Sequence, residues 1–159
     1  MGVPFVPVRG LYGSDLMAAR NDFKVIPDPY QPDQVVVTAP ALRPDVFLTH
    51  GSIADREGNL ITVDEGRNDL VAAQASRRVL ATVEELSEEP LTPATRPGWI
   101  FIPAVYVTAV VLSPQGACPT GFSGVYAPDD TGLREYAEAG RSDDGFKAYL
   151  ERHVYGAGD

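Results

Sequence analysis

The sequence holds one cysteine and two histidines in 159 residues. A single thiol, Cys118, excludes an internal disulfide framework and any cysteine-rich metal site, and two histidines leave little from which to build another. No metal site is therefore expected. Basic residues are also in deficit. The 13 lysines and arginines face 22 acids, for a net charge of −9. The cations are scattered, with tight pairs at Arg77-Arg78 and Arg152-His153 alone, so electrostatics oppose nucleic acid and anionic membrane surfaces. No apolar run is long enough to span a bilayer: the longest, "WIFIPAVYVTAVVL" at 99–112, is interrupted by Pro103. The start, "MGVPFVPVRG", lacks a charged segment followed by an apolar stretch, so no signal peptide is expected, and with the lone cysteine this points to the cytosol. A G-x-S-x-G elbow is missing too, because Val125 stands where the last glycine belongs after Gly121 and Ser123. There is no internal repeat and no phosphate-binding glycine loop before a helix.

What is present is an ordinary globular balance of 44 % apolar and 22 % charged residues, with 15 glycines and 14 prolines placed between short elements. Strand-like material begins at once with "VPFVPVRG". That start predicts either an N-terminal strand in a sheet or the later part of a larger folding unit. Gly10 and Gly13 permit tight turns, and Ser14 is placed to cap a short helix over 15–20 with Asp15 in its first turn. The prolines of "FKVIPDPYQPDQ" forbid a helix, and "QVVVTAP" (34–40) and "DVFLTHGSIA" (45–54) read as strands. A helix is predicted over 68–78, capped by Asn68 and closed by the two arginines, followed by a strand over 79–86. Strand, helix and strand from Leu60 to Val83 read as part of a βαβ unit of a parallel α/β sheet. "WIFIP" and "AVYVTAVVL" predict two more strands, the second buried on both faces. A long loop follows, and then two helices. The first ends at Gly140. The second, capped by Ser142 and stopped at Gly156, carries a stripe of Phe146, Tyr149, Leu150, His153 and Val154.

The stretch "THGSIADREGNLITV" (49–63) reads either as a catalytic loop or as the bend of a hairpin. Gly58 and Asn59 tolerate positive φ, and the Asp55 carboxylate can bind the turn backbone, which favours the hairpin. His50 by itself reads as a core or strand-end histidine rather than a base. Glu84 and Glu85 stand at the carboxyl end of a strand, where α/β proteins often place chemistry, but a solvated acidic run explains them more readily. Cys118 is expected to be buried or idle.

Four stretches in order resemble the second half of the α subunit of family I CoA-transferases, of the glutaconate CoA-transferase type. They are "GVPFVPVRGLYGSDL" (2–16), "PALRPDVFLTHGSIADREGN" (40–59), the helix and strand ending in "ATVEEL" (81–86), and "PQGACPTGFSGVYAPD" with "FKAYLERHVYG". Two departures accompany the likeness. Cys118 replaces the histidine that the group carries after Gly-Ala, and nothing matches the group's long first half with its glycine-rich oxyanion loop. The resemblance thus implies one domain over 1–159 lacking the family's N-terminal half, either as a fragment or with that half on another polypeptide. It implies an α/β fold with a mostly parallel sheet flanked by helices and a hairpin near 49–63.

The activity implied is transfer of CoA between carboxylic acids by a cytoplasmic hetero-oligomer, with CoA as substrate and no resident cofactor. The reactive glutamate of such an enzyme belongs to a partner β subunit in a Glu-x-Gly-type context. Glu57-Gly58 lacks the spacer and Glu84-Glu85 is an acidic strand end, so no catalytic residue is assigned to this chain. Arg9, Gly13, Ser14, Asp15 and His50 are the implied pocket-lining positions, with Arg9 suited to hold an acyl carboxylate or else to form a surface ion pair. A CoA-thioester ring-cleaving hydrolase on the same scaffold and a non-catalytic interaction module are the alternatives.

Overall fold

The computed structural model describes residues 2–63 and 68–156. The chain forms two compact units, Met1–Pro44 and Asp45–Asp159. The first unit is a three-stranded antiparallel sheet in the order β1-β3-β2, built from β1 (Phe5–Val8), β2 (Lys24–Pro27) and β3 (Val35–Pro40). The β-branched run of β3 makes it the central strand, with Val37 and Thr38 buried. One short helix, α1 (Asp15–Ala19), lies between β1 and β2 in the chain. Ser14 occupies its N-cap position, but its hydroxyl donates to the Leu11 carbonyl at 2.7 Å instead of accepting from the helix.

The second unit is a five-stranded sheet in the order β7-β5-β4-β6-β8, with β4 (Val46–Asp55), β5 (Leu60–Thr62), β6 (Arg78–Ser87), β7 (Ile100–Ile102) and β8 (Ala109–Leu112). On one side it is parallel, where β6 pairs with both β4 and β8. On the other it is antiparallel, where β5 pairs with β4 and with β7. The sheet is therefore mixed, and the α/β class holds. The parallel partner of β6 is β4, not the strand at Leu60. That strand is the returning arm of the hairpin, and the crossover passes through it and α2 (Asp69–Ala75). Ala73 of α2 is buried with Ala54, Leu60, Val79, Ala81, Val83 and Ile102 in the main core, since a small-faced helix can lie close on a sheet.

Three local expectations change. Asn68 precedes α2 with a left-handed φ of 58° and makes no side-chain cap. The helix ends at Ala75, so Arg77 lies past it and Arg78 opens β6. The apolar run after Pro103 is not one buried strand. Ala104–Tyr106 is a 3₁₀ turn closed by Tyr106 N–H donating to the Pro103 carbonyl, and β8 is an edge strand with Val111 58 % exposed. The hairpin stands as expected, with Ala54 opposite Leu60, although Gly58 (φ 94°) alone of the Gly58-Asn59 pair takes the left-handed region. At the far end of the chain, α3 (Asp130–Ala139) and α4 (Asp143–Leu150) pair through Tyr136, Phe146 and Tyr149. Ser142 caps α4 by accepting from Gly145 N–H, and a π-helical turn, Glu151–Tyr155, runs on to Gly156. Among the described residues no helix is long and apolar enough to cross a membrane.

Candidate active site

The parallel register sets His50 beside Thr82 on neighbouring strands, and alternation along β6 brings Glu84 onto the same side. The His50 Nε2 lies 2.6 Å from Glu84 Oε1, and both side chains are 14 % exposed. Nδ1 lies 2.7 Å from Thr82 Oγ1. An ionised carboxylate only accepts, so the ring proton sits on Nε2, and the Thr82 hydroxyl donates to Nδ1 whenever the ring is neutral. Phe122 packs edge-on against the imidazole at 5.0 Å between centroids.

Glu84 carries more than the histidine. Its Oε1 also accepts from the Tyr126 hydroxyl at 2.8 Å, and its Oε2 accepts from Gln115 N–H at 2.7 Å. The Tyr126 oxygen in turn accepts from Ala117 N–H at 3.0 Å. Two alternate amides of the 113–128 loop are thereby clamped to one strand-end carboxylate. Gly116 lies between them against the His50 ring, where an added Cβ would come within 2.8 Å of Cε1 and of the Ser113 carbonyl. Only a residue without a side chain fits there.

Burial raises the Glu84 pKa, but the hydrogen bonds from Gln115, His50 and Tyr126 together outweigh it and hold the carboxyl below its ordinary value. Burial and the neighbouring carboxylate raise the Tyr126 phenol, against the opposing bond from Ala117, so it remains a donor at neutral pH. Asp55 follows the same pattern as Glu84: burial raises its pKa, and bonds from Leu91, Asn59 and Glu57 more than offset that. The sign of the stability change follows. A carboxyl whose folded pKa is depressed contributes stability that is fully present above its unfolded value, near 4, and is lost as pH falls through the folded value. The melting temperature is expected to be level from about pH 7 to 5 and to fall below about pH 4. Glu84→Gln flattens part of that fall. Melts followed by calorimetry across pH check it, and a loss of stability toward alkaline pH in this range contradicts it.

The expected site residues divide between the units. Arg9, Gly13, Ser14 and Asp15 belong to the first unit, and His50 to the second. Arg9 follows β1, is exposed and makes no ion pair among the described residues. Gly13 has a φ of 73°, and Asp15 opens α1 in solvent. Cys118 is a free, exposed thiol rather than a buried one. In the sequence Glu84 reads as a strand end, and nothing there singles out Thr82 or Tyr126. One signal is available: His50 and Glu84 lie on two strands, and pairing those strands in parallel puts them within reach. No cluster of residues suited to a metal ion is present among the described residues.

Fold and site define an α/β chain whose histidine–carboxylate pair, on two adjacent parallel strands, anchors a glycine-containing loop. The coenzyme A transferase pattern matches residues 4–113, and the chain belongs to that family. It is 29 % identical over 161 residues to the A subunit of 3-oxoadipate CoA-transferase from Pseudomonas knackmussii, covering 99 % of this chain and 55 % of that protein. It is 29 % identical over 171 residues to the A subunit of glutaconate CoA-transferase from Acidaminococcus fermentans, covering 98 % and 53 %. The cholesterol ring-cleaving hydrolase IpdA subunit of Mycobacterium tuberculosis is 27 % identical, with 97 % and 55 % covered. The crystal structure of the Acidaminococcus enzyme superposes with a TM-score of 0.86 at 27 % identity over 99 % of this chain and 54 % of its own. The chain spans about half the length of these curated relatives.

Proposed function

We propose that residues 1–159 are one piece of a CoA-transferase α subunit that works with a β subunit to move CoA between carboxylic acids. Likeness over nearly the whole chain to the A subunits of two enzymes named for that activity supports the reading. The observation that carries it into chemistry is the state of Glu84. Its two oxygens accept three hydrogen bonds, and its basicity is lowered, so it is held as an anchor rather than as a nucleophile. The attacking carboxylate is accordingly assigned to the partner.

In this scheme the partner's ionised glutamate adds to the thioester carbonyl, and CoA leaves as the thiolate, giving an acyl–glutamyl anhydride. The thiolate then attacks the glutamyl carbonyl, releasing the first acid and leaving a glutamyl thioester. The second acid's carboxylate opens that thioester to a new anhydride, and CoA thiolate attacks its acyl carbonyl. The new acyl-CoA departs and the free glutamate returns. Water must be kept out, because hydrolysis of any of these intermediates ends the transfer. This chain's part is substrate recognition, with Arg9 as a bidentate partner for the acyl carboxylate beside Gly13, Ser14 and Asp15 in the first unit, and His50 as a wall residue of the second unit, each taken by itself.

The test is an assay of the chain together with its β subunit, supplied with acyl-CoA and acetate. Formation of acetyl-CoA in step with loss of acyl-CoA is the expected result. Consumption of the thioester without an acceptor supports the second reading, a hydrolase, for which the likeness to the IpdA subunit is the ground. A stable monomer that binds no acyl-CoA overturns both.

A further inference from the structure

Arg96, Pro97, Gly98 and Trp99 follow the pattern of a type II turn, with proline at its second position and a left-handed glycine, Gly98 (φ 84°), at its third. The turn closes through Trp99 N–H donating to the Arg96 carbonyl at 3.2 Å. Its two outer side chains are thereby brought together, and the Arg96 guanidinium lies over the indole at 5.0 Å from the ring centre. The indole itself packs against the Ile53–Ile61–Leu91 cluster. Arg96 Nη1 donates to Ser52 Oγ at 2.9 Å, and that hydroxyl donates its own proton to the Ile61 carbonyl at 3.2 Å. Ser52 is buried. Stacking on one side and this bond on the other fix the plane of the guanidinium in the free protein.

A guanidinium presents its N–H donors as a rigid fork, and among the described residues Arg96 donates through Nη1 alone. Its Nε and Nη2 groups have no protein acceptor there, and no buried side-chain polar atom is left without a partner, so that edge opens to solvent. Acids outnumber bases by 22 to 13, yet no carboxylate pairs with Arg96 among the described residues. The other described arginines without an ion pair, Arg9, Arg43, Arg78 and Arg134, are exposed, whereas Arg96 is half-buried. A cation withdrawn from water in this way is ordinarily paired. We propose that Arg96 is the receptor of a carboxylate-binding site, taking one carboxylate of a small organic acid on its Nε–Nη2 edge while Ser52 and Trp99 hold the fork in place. A lone guanidinium balances one negative charge. A carboxylate carries that much, a phosphate near neutral pH carries more, and the chain's net charge of −9 opposes the surplus. The inference rests on the geometry around Arg96 and not on acyl transfer.

The Arg96 Nε–H resonance, followed by heteronuclear NMR while the protein is titrated with acetate at constant ionic strength, reads the contact directly. The expected result is a saturable downfield shift of that proton with acetate and none with chloride, accompanied by a saturable change in the emission of Trp99, the sole tryptophan. Arg96→Lys keeps the charge and loses the fork. It is expected to raise the half-saturating acetate concentration, read from the Trp99 emission, about tenfold with an unchanged circular dichroism spectrum. A shift that does not saturate, an equal response to chloride, inorganic phosphate saturating at the lower concentration, or a lysine variant that binds as the parent does would each overturn the proposal. The parent's own resonance decides the matter even where the lysine variant does not fold.

Discussion

Asp55→Ala lowers the stability of the second unit by about 3 kcal/mol, with a fall in melting temperature of roughly 10–15 °C. Asp55 is 5 % exposed, and its carboxylate accepts from Glu57 N–H, Asn59 N–H, Asn59 Nδ2 and Leu91 N–H at 2.8–3.0 Å. The bond to Leu91 joins the hairpin turn to a residue 36 positions later, where Ile53, Ile61 and Leu91 form a second small core. Removing the acceptor leaves the buried Leu91 amide without a partner, and such an orphan costs about 1–3 kcal/mol by itself. It also frees Asn59, whose Oδ1 accepts from Ala104 N–H and so fixes the 3₁₀ turn before β8. Asp55→Asn is expected to be nearly as costly, because one amide NH₂ then meets donors on both sides. Chemical denaturation of the three proteins checks the order, and an alanine variant within about 1 kcal/mol of the parent contradicts it.

Glu84→Ala is expected to release the 113–128 loop while leaving the sheet intact. Amide exchange at Gln115 and Ala117 should speed up about a hundredfold, which corresponds to roughly 2.7 kcal/mol of lost local protection. Gln115 loses its acceptor outright, and Ala117 loses the oxygen of a Tyr126 that Glu84 no longer orients. The core amides of Val79 and Val83 keep their rates. Tyr126→Phe loosens Ala117 more than Gln115, since only the first bond passes through the phenol. Glu85→Ala, at an exposed neighbouring position, leaves both amides unchanged. Uniform acceleration across the unit would show that Glu84 supports the whole sheet and not the loop.

Much of this fold is legible from local pattern. The hairpin is announced by Asp55, Gly58 and two apolar arms, because turn chemistry acts within five residues. β3 is announced by its β-branched run, and α3 and α4 by their periodicity and the Ser142 cap. What local pattern cannot carry is long-range register. Nothing near His50 or Glu84 says that β4 and β6 run side by side in parallel, so their contact across 34 residues is not visible from either stretch alone. The same holds for the run at 104–112. Apolar residues there describe equally a central strand and an exposed edge strand. Ser14 and Asn68 show a third limit, since a small polar residue at a helix start can turn its side chain to a preceding carbonyl or take a left-handed backbone instead of capping.

The sole tryptophan, Trp99, packs against the Ile53–Ile61–Leu91 cluster with the Arg96 guanidinium 5.0 Å from its ring centre. Its emission is therefore a local reporter of the seam that Asp55 closes, and it is blind to Met1–Pro44, which contains no indole. Fluorescence and far-ultraviolet dichroism recorded on the same sample coincide only if the two units lose their structure together, so the intrinsic optics of the chain already measure how strongly one unit depends on the other.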